Sequence, residues 1–383
     1  MSVRRARLAV AYAFFMLGSL VGVWASRIPD IKIILGVDES GFGLILLCMA
    51  LGAFSSFPLS GPLIDRWGAV RVAKLSAVFI LVIFVGLTFG TSVPLMIPIA
   101  YLNGFGMGAL DVSMNGWGAE VEQELGKPVM SSYHGLYSLG AGAGAGIGAL
   151  ALWLDLSVPV HFYLWTVLSV VPLIWALMTP WTSKIAEPSG QKAPMFAVPK
   201  GALLFVGLMA LIAALGEGAI TDWAALYQIQ ELGFDSSTAA IGFSVFSVAM
   251  VIMRLAGDRI IARFGPVKVA RVSGIAAAVG TGLVVLGGSV WIVWVGCVVM
   301  GLGNAVIFPL AMSRAAADPN MSKGRALASV ATLGYGAFLF GPPVLGFIGD
   351  ALSLRMSFAL VAVLAVFISL MAGNLKVEKP AQT

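Results

Sequence analysis

The chain is poor in charge. Only 11% of its 383 residues are Asp, Glu, Lys or Arg, against 59% apolar residues. A water-soluble domain carries about a quarter charged residues, so that class is excluded. Cysteine and histidine are scarce, at two each. Cys48 and Cys297 fall inside apolar stretches without CxxC spacing, so they read as small buried hydrophobes, not metal ligands or a disulfide. There is no Gly-rich loop ending in Lys-Ser/Thr and no nucleophile–base pair. These absences point away from ATP-driven work, from an enzyme, and from any cofactor or metal.

What is present is apolar length. Twelve runs of around 20 residues, each able to cross the ~30 Å hydrocarbon layer, fall at 8–28, 42–62, 72–90, 93–116, 132–153, 160–180, 201–227, 238–257, 269–288, 290–312, 325–347 and 353–373. The first run continues into Arg27-Ile28-Pro29-Asp30 with no small-residue cleavage site, so it reads as a span and not a signal peptide. With the N-terminus placed in the cytoplasm, Arg27, Lys32 and Arg355 are the only basic residues outside. The other 20 of 23, Arg254 and Arg314 among them, fall inside. By the positive-inside rule both ends are cytoplasmic, and the net charge of +5 needs no nucleic acid partner. The expected fold is an all-α membrane protein of twelve transmembrane helices in two parallel six-helix repeats. Residues 1–180 and 201–383 form the bundles, joined by a polar, turn-rich linker at 181–200.

The duplication has a register. Leu35-Gly36-Val37-Asp38-Glu39-Ser40 returns 197 residues later as Leu232-Gly233-Phe234-Asp235-Ser236-Ser237. Each copy places Asp and Ser to cap an incoming helix. At the same offset Gly104-Phe105-Gly106 matches Gly301-Leu302-Gly303, Arg66-Trp67-Gly68 matches Arg263-Phe264-Gly265, and Gly144 matches Gly341.

Gly61-Pro62-Leu63-Ile64-Asp65-Arg66-Trp67-Gly68-Ala69-Val70-Arg71 resembles the signature loop of the major facilitator superfamily, G-x-L-x-D-R-x-G-x-x-R, between spans two and three. A degraded copy follows span eight, with Asp258, Arg259 and Arg263. Asp111-Val112-Ser113-Met114-Asn115 and Glu217-Gly218-Ala219-Ile220-Thr221-Asp222-Trp223 are similar to a subgroup of bacterial permeases related to sugar (fucose-type) permeases. The resemblance implies a cytoplasmic gating role for Gly61, Asp65, Arg66, Gly68, Arg71, Asp258, Arg259 and Arg263. The bland alternative is that the arginines only fix topology against lipid phosphates. Glu120 is either a further latch partner or a solvated charge.

Inside the membrane an ionisable group costs roughly 2.5–3.5 kcal/mol or more, so each one present needs a reason. Asn103, Met107, Asp111 and Asn115 advance about 40° per step along a helix. They form one polar row that serves either as a binding or proton face, or as a seam between helices. Glu217 lies between Gly216 and Gly218, which favours local unwinding, and is expected to carry a proton or bind solute. Asp222 lies about 140° away on the wheel and is expected to face another neighbour, with Arg27 as a candidate outer-gate partner. His134 is either a proton relay beside Asp111 or an interfacial residue, and His161 reads as interfacial. Alternating glycines from Gly140 to Gly148 point to tight helix packing in span five. Trp24 and Trp223 are candidates for stacking on a solute.

The sequence thus reads as a monomeric secondary transporter in the cell inner membrane, working by alternating access through a cavity between the halves. Asn103, Asp111, Glu217, Asn304 and Arg27 are the expected polar lining. Carboxylates outnumber deep bases in this reading, so the solute is small and polar, neutral or cationic, sugar-like, and coupled to protons. The competing readings are a proton-driven exporter of drugs or amphipathic metabolites, and a membrane sensor on a transporter scaffold.

Overall fold

In the computed structural model, which describes residues 2–126, 129–183, 199–319, 321 and 323–376, every long element is a helix. A segment crossing hydrocarbon must satisfy its own backbone N–H and C=O groups, and a helix does so. In the first repeat the helices are α1 (Ser2–Leu35), α2 (Glu39–Trp67), α3 (Ala69–Gly86), α4 (Val93–Leu125), α5 (Met130–Trp153) and α6 (Val158–Leu177). In the second they are α7 (Ala202–Gln230), α8 (Ser236–Phe264), α9 (Pro266–Leu286), α10 (Val290–Asn304), α11 (Ile307–Ala316), α12 (Lys323–Ala351) and α13 (Leu354–Met371). Twelve spans are long and apolar enough to cross a membrane, the tenth being α10 plus α11. The helices overrun the apolar runs. Alpha2 continues to Trp67 and α8 to Phe264, so most of the signature and its copy are helical and only Gly68 and Gly265 turn. Lys127 and most of the linker (184–198) lie outside the described residues.

The chain divides into two compact units, Met1–Ser189 with Asp235–Ser244, and Gly190–Phe234 with Val245–Thr383. In the first, α1 packs on α5, α4 and α6, and α4 packs on α2 and α3. In the second, α7 packs on α12, α11 and α13, and α9 on α10 and α13. The second unit is cored by Val206, Met209, Ala210, Ile307, Val330 and Ile368, among others.

The 197-residue register is visible in the backbone. Asp38 Oδ1 accepts from Gly41 N at 2.7 Å to cap α2, and Asp235 Oδ1 accepts from Thr238 N at 2.9 Å at the start of α8. Gly68 and Gly265 turn between helices with φ of +81° and +79°, a conformation that disfavours any Cβ. A Cβ on Gly104 would collide with the Met49 carbonyl, and one on its mate Gly301 with the Phe246 carbonyl. Span five packs as its glycines suggest. Gly140 and Gly144 lie against the α1 carbonyls of Phe15 and Ser19, too close for any side chain.

Candidate functional site

In the second unit Glu217 has a charged partner on the next helix. Arg254, on α8, places Nη2 3.7 Å from Glu217 Oε2. Their side chains are 20% and 30% exposed, so neither is sealed in the core. This corrects two expectations. Arg254 does not belong with the loop cations that fix topology, because it lies ten residues inside the end of α8. Nor is Arg27 the one base inside the spans, as the expected lining had it, because Arg254 stands beside Glu217. The signal was in the sequence, since Arg254 falls within the apolar run 238–257 and an intramembrane arginine needs a partner.

The expected unwinding at Glu217 does not occur. Alpha7 runs unbroken from Ala202 to Gln230, and Thr221 Oγ1 donates to the Glu217 carbonyl one turn back at 2.8 Å. Its flanking Gly216 instead lets another helix approach. A Cβ there would lie 2.8 Å from Asn304 Nδ2 and 3.2 Å from Met300 Cε. The interruption falls in span ten, where α10 ends at Asn304 and α11 resumes at Ile307. Asn304 is therefore next to Gly216, at a helix break, and its buried Nδ2 has no hydrogen-bond partner among the described residues. Asp222 is half-buried one turn beyond Glu217. Trp223 is fully buried.

In the first unit, Asn103 is buried and its Nδ2 also lacks a partner among the described residues. Through the register, Asn103 and Met107 stand opposite Met300 and Asn304, so carboxamide and thioether exchange places by one turn. Asp111 is half-buried, and Asn115 Nδ2 donates to its carbonyl at 2.8 Å and to its Oδ1 at 3.2 Å. His134 sits at the start of α5 with its ring edge-on to Phe14, centroids 5.1 Å apart. Trp24 is buried and stacks on Phe42.

Arg27 is held within its own unit. It donates through Nε to His161 Nδ1 at 3.1 Å, through Nη1 to Asp30 Oδ2 at 2.7 Å, and through Nη2 to the Leu156 carbonyl at 2.7 Å. His161 is more than an end-of-span residue. It is 2% exposed and ties α6 to α1. Helical spacing cannot reveal this bond, because the partners are 134 residues apart.

On the signature segment, Asp65, Arg66 and Arg71 are exposed and make no ion pair among the described residues. In the copy, Asp258 and Arg259 are exposed on α8, and Arg263 lies over the Phe264 ring, 5.3 Å from its centroid. Arg314, counted above among the loop cations, is a buried residue of α11. It pairs with Asp318 at 2.9 Å and donates through Nε to the Asn374 and Lys376 carbonyls.

Twelve apolar spans in two register-related sets, with acids and carboxamides inside them, define a membrane transporter. The chain matches the model of the Major Facilitator Superfamily over residues 6–318 and 206–383. It is 42% identical over 369 residues to the transporter y4wD of Sinorhizobium fredii, covering 96% of this chain and 97% of that protein. Among solved structures it is similar to the nucleoside transporter NupG (TM-score 0.75, 17% identity, 98% of this chain and 100% of that one). It is also similar to a D-xylose-proton symporter (TM-score 0.75, 14% identity, 97% of each chain). The chain belongs to the major facilitator superfamily. It is a multi-pass membrane transporter of a small-molecule solute, not an enzyme.

Proposed function

We propose that this protein is a proton-coupled permease for a small, neutral, polyhydroxylated solute. It would work as a monomer in the bacterial inner membrane by alternating access, with both termini cytoplasmic. The observation that carries the reading is the Glu217–Arg254 pair, an acid and a base facing each other between two apolar spans. A carboxylate beside a guanidinium offers a hydroxyl both an acceptor and a donor. Protonating that carboxylate frees the guanidinium, which gives the proton a means to change solute binding. The arginine also offsets the acid's charge, which favours a neutral solute over a cationic one. The orphaned amide of Asn304 beside Gly216 adds a donor for a solute oxygen.

Asp111, Asn103, Asn115, His134 and Asp222 are the remaining candidates for proton or solute contact, and Arg27 is assigned to holding α1. The similarity to a nucleoside transporter and a xylose–proton symporter supports a solute rich in hydroxyls, as does the resemblance to sugar-type permeases. The signature residues Gly61, Asp65, Arg66, Gly68 and Arg71, with Asp258, Arg259 and Arg263, are proposed to gate the cytoplasmic side.

The test is uptake into proteoliposomes of pentoses, hexoses, cyclitols and nucleosides, with and without an imposed pH gradient. Acid-outside stimulation of uptake of one such solute is the expected result. Transport only of amphipathic amines, driven outward, would replace this reading with the exporter. Glu217→Gln should abolish accumulation against a gradient while leaving solute counterflow.

A further inference from the structure

The chain leaving α6 is tied down at three points by two other helices of the first unit. Lys74 Nζ, on α3, donates to the Thr179 carbonyl at 2.8 Å. Trp181 Nε1 donates to Glu120 Oε2, on α4, at 3.0 Å. The backbone N–H of Val70, in the first turn of α3, donates to Ser183 Oγ at 3.1 Å.

The last bond completes a helix cap in an unusual way. The first N–H groups of a helix have no partner within it, and a Ser, Thr, Asp or Asn at the cap position normally supplies one. Here that position is Gly68, whose φ of +81° disfavours a side chain. Ser183 provides the missing oxygen from 113 residues away. It also fills the space a Gly68 side chain would take, since a Cβ there would approach Ser183 Cβ to 2.5 Å.

The second unit makes the same turn without such a contact among the described residues. Gly265 turns at φ +79°, and no described atom lies within 4 Å of where its Cβ would be. The register sets Pro380, without a hydroxyl, opposite Ser183. The exit clamp does recur, because Arg314 Nε reaches the carbonyl of Lys376, the register mate of Thr179. Among the described residues, the reach onto the turn is found in the unit that carries the complete signature.

We propose that Thr179–Ser183 is a strap that sets the conformation of the α2–α3 turn, so that the exit from α6 and the signature motif move as one body. The strap rests on these contacts and not on the solute or coupling ion assigned above.

Hydrogen exchange on the full-length protein in detergent tests it, read at the Val70 amide with the Val267 amide, its register mate, as internal control. Ser183→Ala should speed exchange at Val70 at least tenfold, and Ser183→Thr should keep the wild-type rate. Trp181→Phe removes only the bond to Glu120, yet by loosening the strap it should speed Val70 at least threefold. Val267 should not change in any variant. Wild-type exchange at Val70 in either Ser183→Ala or Trp181→Phe would overturn the proposal. The first result would mean that the hydroxyl does not cap the helix, and the second that the strap does not act as a unit.

Discussion

Arg254 Nη2 and Glu217 Oε2 stand 3.7 Å apart on neighbouring helices of the second unit, farther than a direct hydrogen bond allows. The pair is close enough for each charge to stabilise the other. It is loose enough, and open enough, for a hydroxyl or a proton to intervene. Breaking one side therefore has a different consequence from removing both.

Arg254→Gln should destabilise the detergent-purified protein by about 1–3 kcal/mol, because it leaves a carboxylate in an apolar span. The figure is below that for a sealed pair because water screens these side chains. Glu217→Gln with Arg254→Gln should recover most of that loss. The check is a double-mutant cycle on thermal unfolding; additive losses would show that the two groups do not interact.

Gly68 and Gly265 make the same turn in different surroundings. Each Gly→Ala variant should cost roughly 1–2 kcal/mol for placing a Cβ at positive φ. Gly68→Ala should cost more because Ser183 occupies the space, whereas no described residue fills it at Gly265. Melting temperatures of the two variants, side by side, give the order.

Asp235 accepts hydrogen bonds from Ser237 Oγ, Thr238 Oγ1 and Thr238 N, and these hold its carboxyl down to about 2. Its folded value lies below the ordinary one. Its contribution is therefore complete above about pH 4 and is lost as pH falls toward 2. Asp235→Ala should cost about 1 kcal/mol near neutrality, the usual worth of an N-cap. The stability difference from wild type should close in unfolding measured between pH 4 and pH 2.

His161 and Phe358 occupy the same register position. The first unit uses it for a bond to Arg27; the second packs Phe358 against Tyr227 with the rings tilted and centroids 4.9 Å apart. His161→Phe takes an acceptor from a buried guanidinium and should lower stability by about 1–3 kcal/mol. Phe358→Leu, which removes no hydrogen bond, should leave Tyr227 Oη on its Val284 and Val285 carbonyls. Thermal unfolding of both variants separates polar anchoring from ring packing.

Much of the frame was legible from short-range chemistry. Asp38 and Asp235 cap helices because a carboxylate three residues ahead of an N–H reaches it whatever lies elsewhere. Gly68 and Gly265 turn because glycine tolerates positive φ. Even so, the local signal at Gly216-Glu217-Gly218 misled. In hydrocarbon a broken helix leaves backbone groups without water, so Gly216 serves close packing against Asn304 and the helix stays whole.

The sequence by itself determined twelve spans, their duplication and the 197-residue register, because apolar length, capping residues and glycine turns act within a few residues. Only the tertiary structure decided that Arg254 faces Glu217, that Arg27 is bound to His161, and that Ser183 caps α3. Those partners lie 37 to 134 residues apart along the chain. Helix packing brings them within a few ångströms, and no local pattern encodes which buried group will meet which.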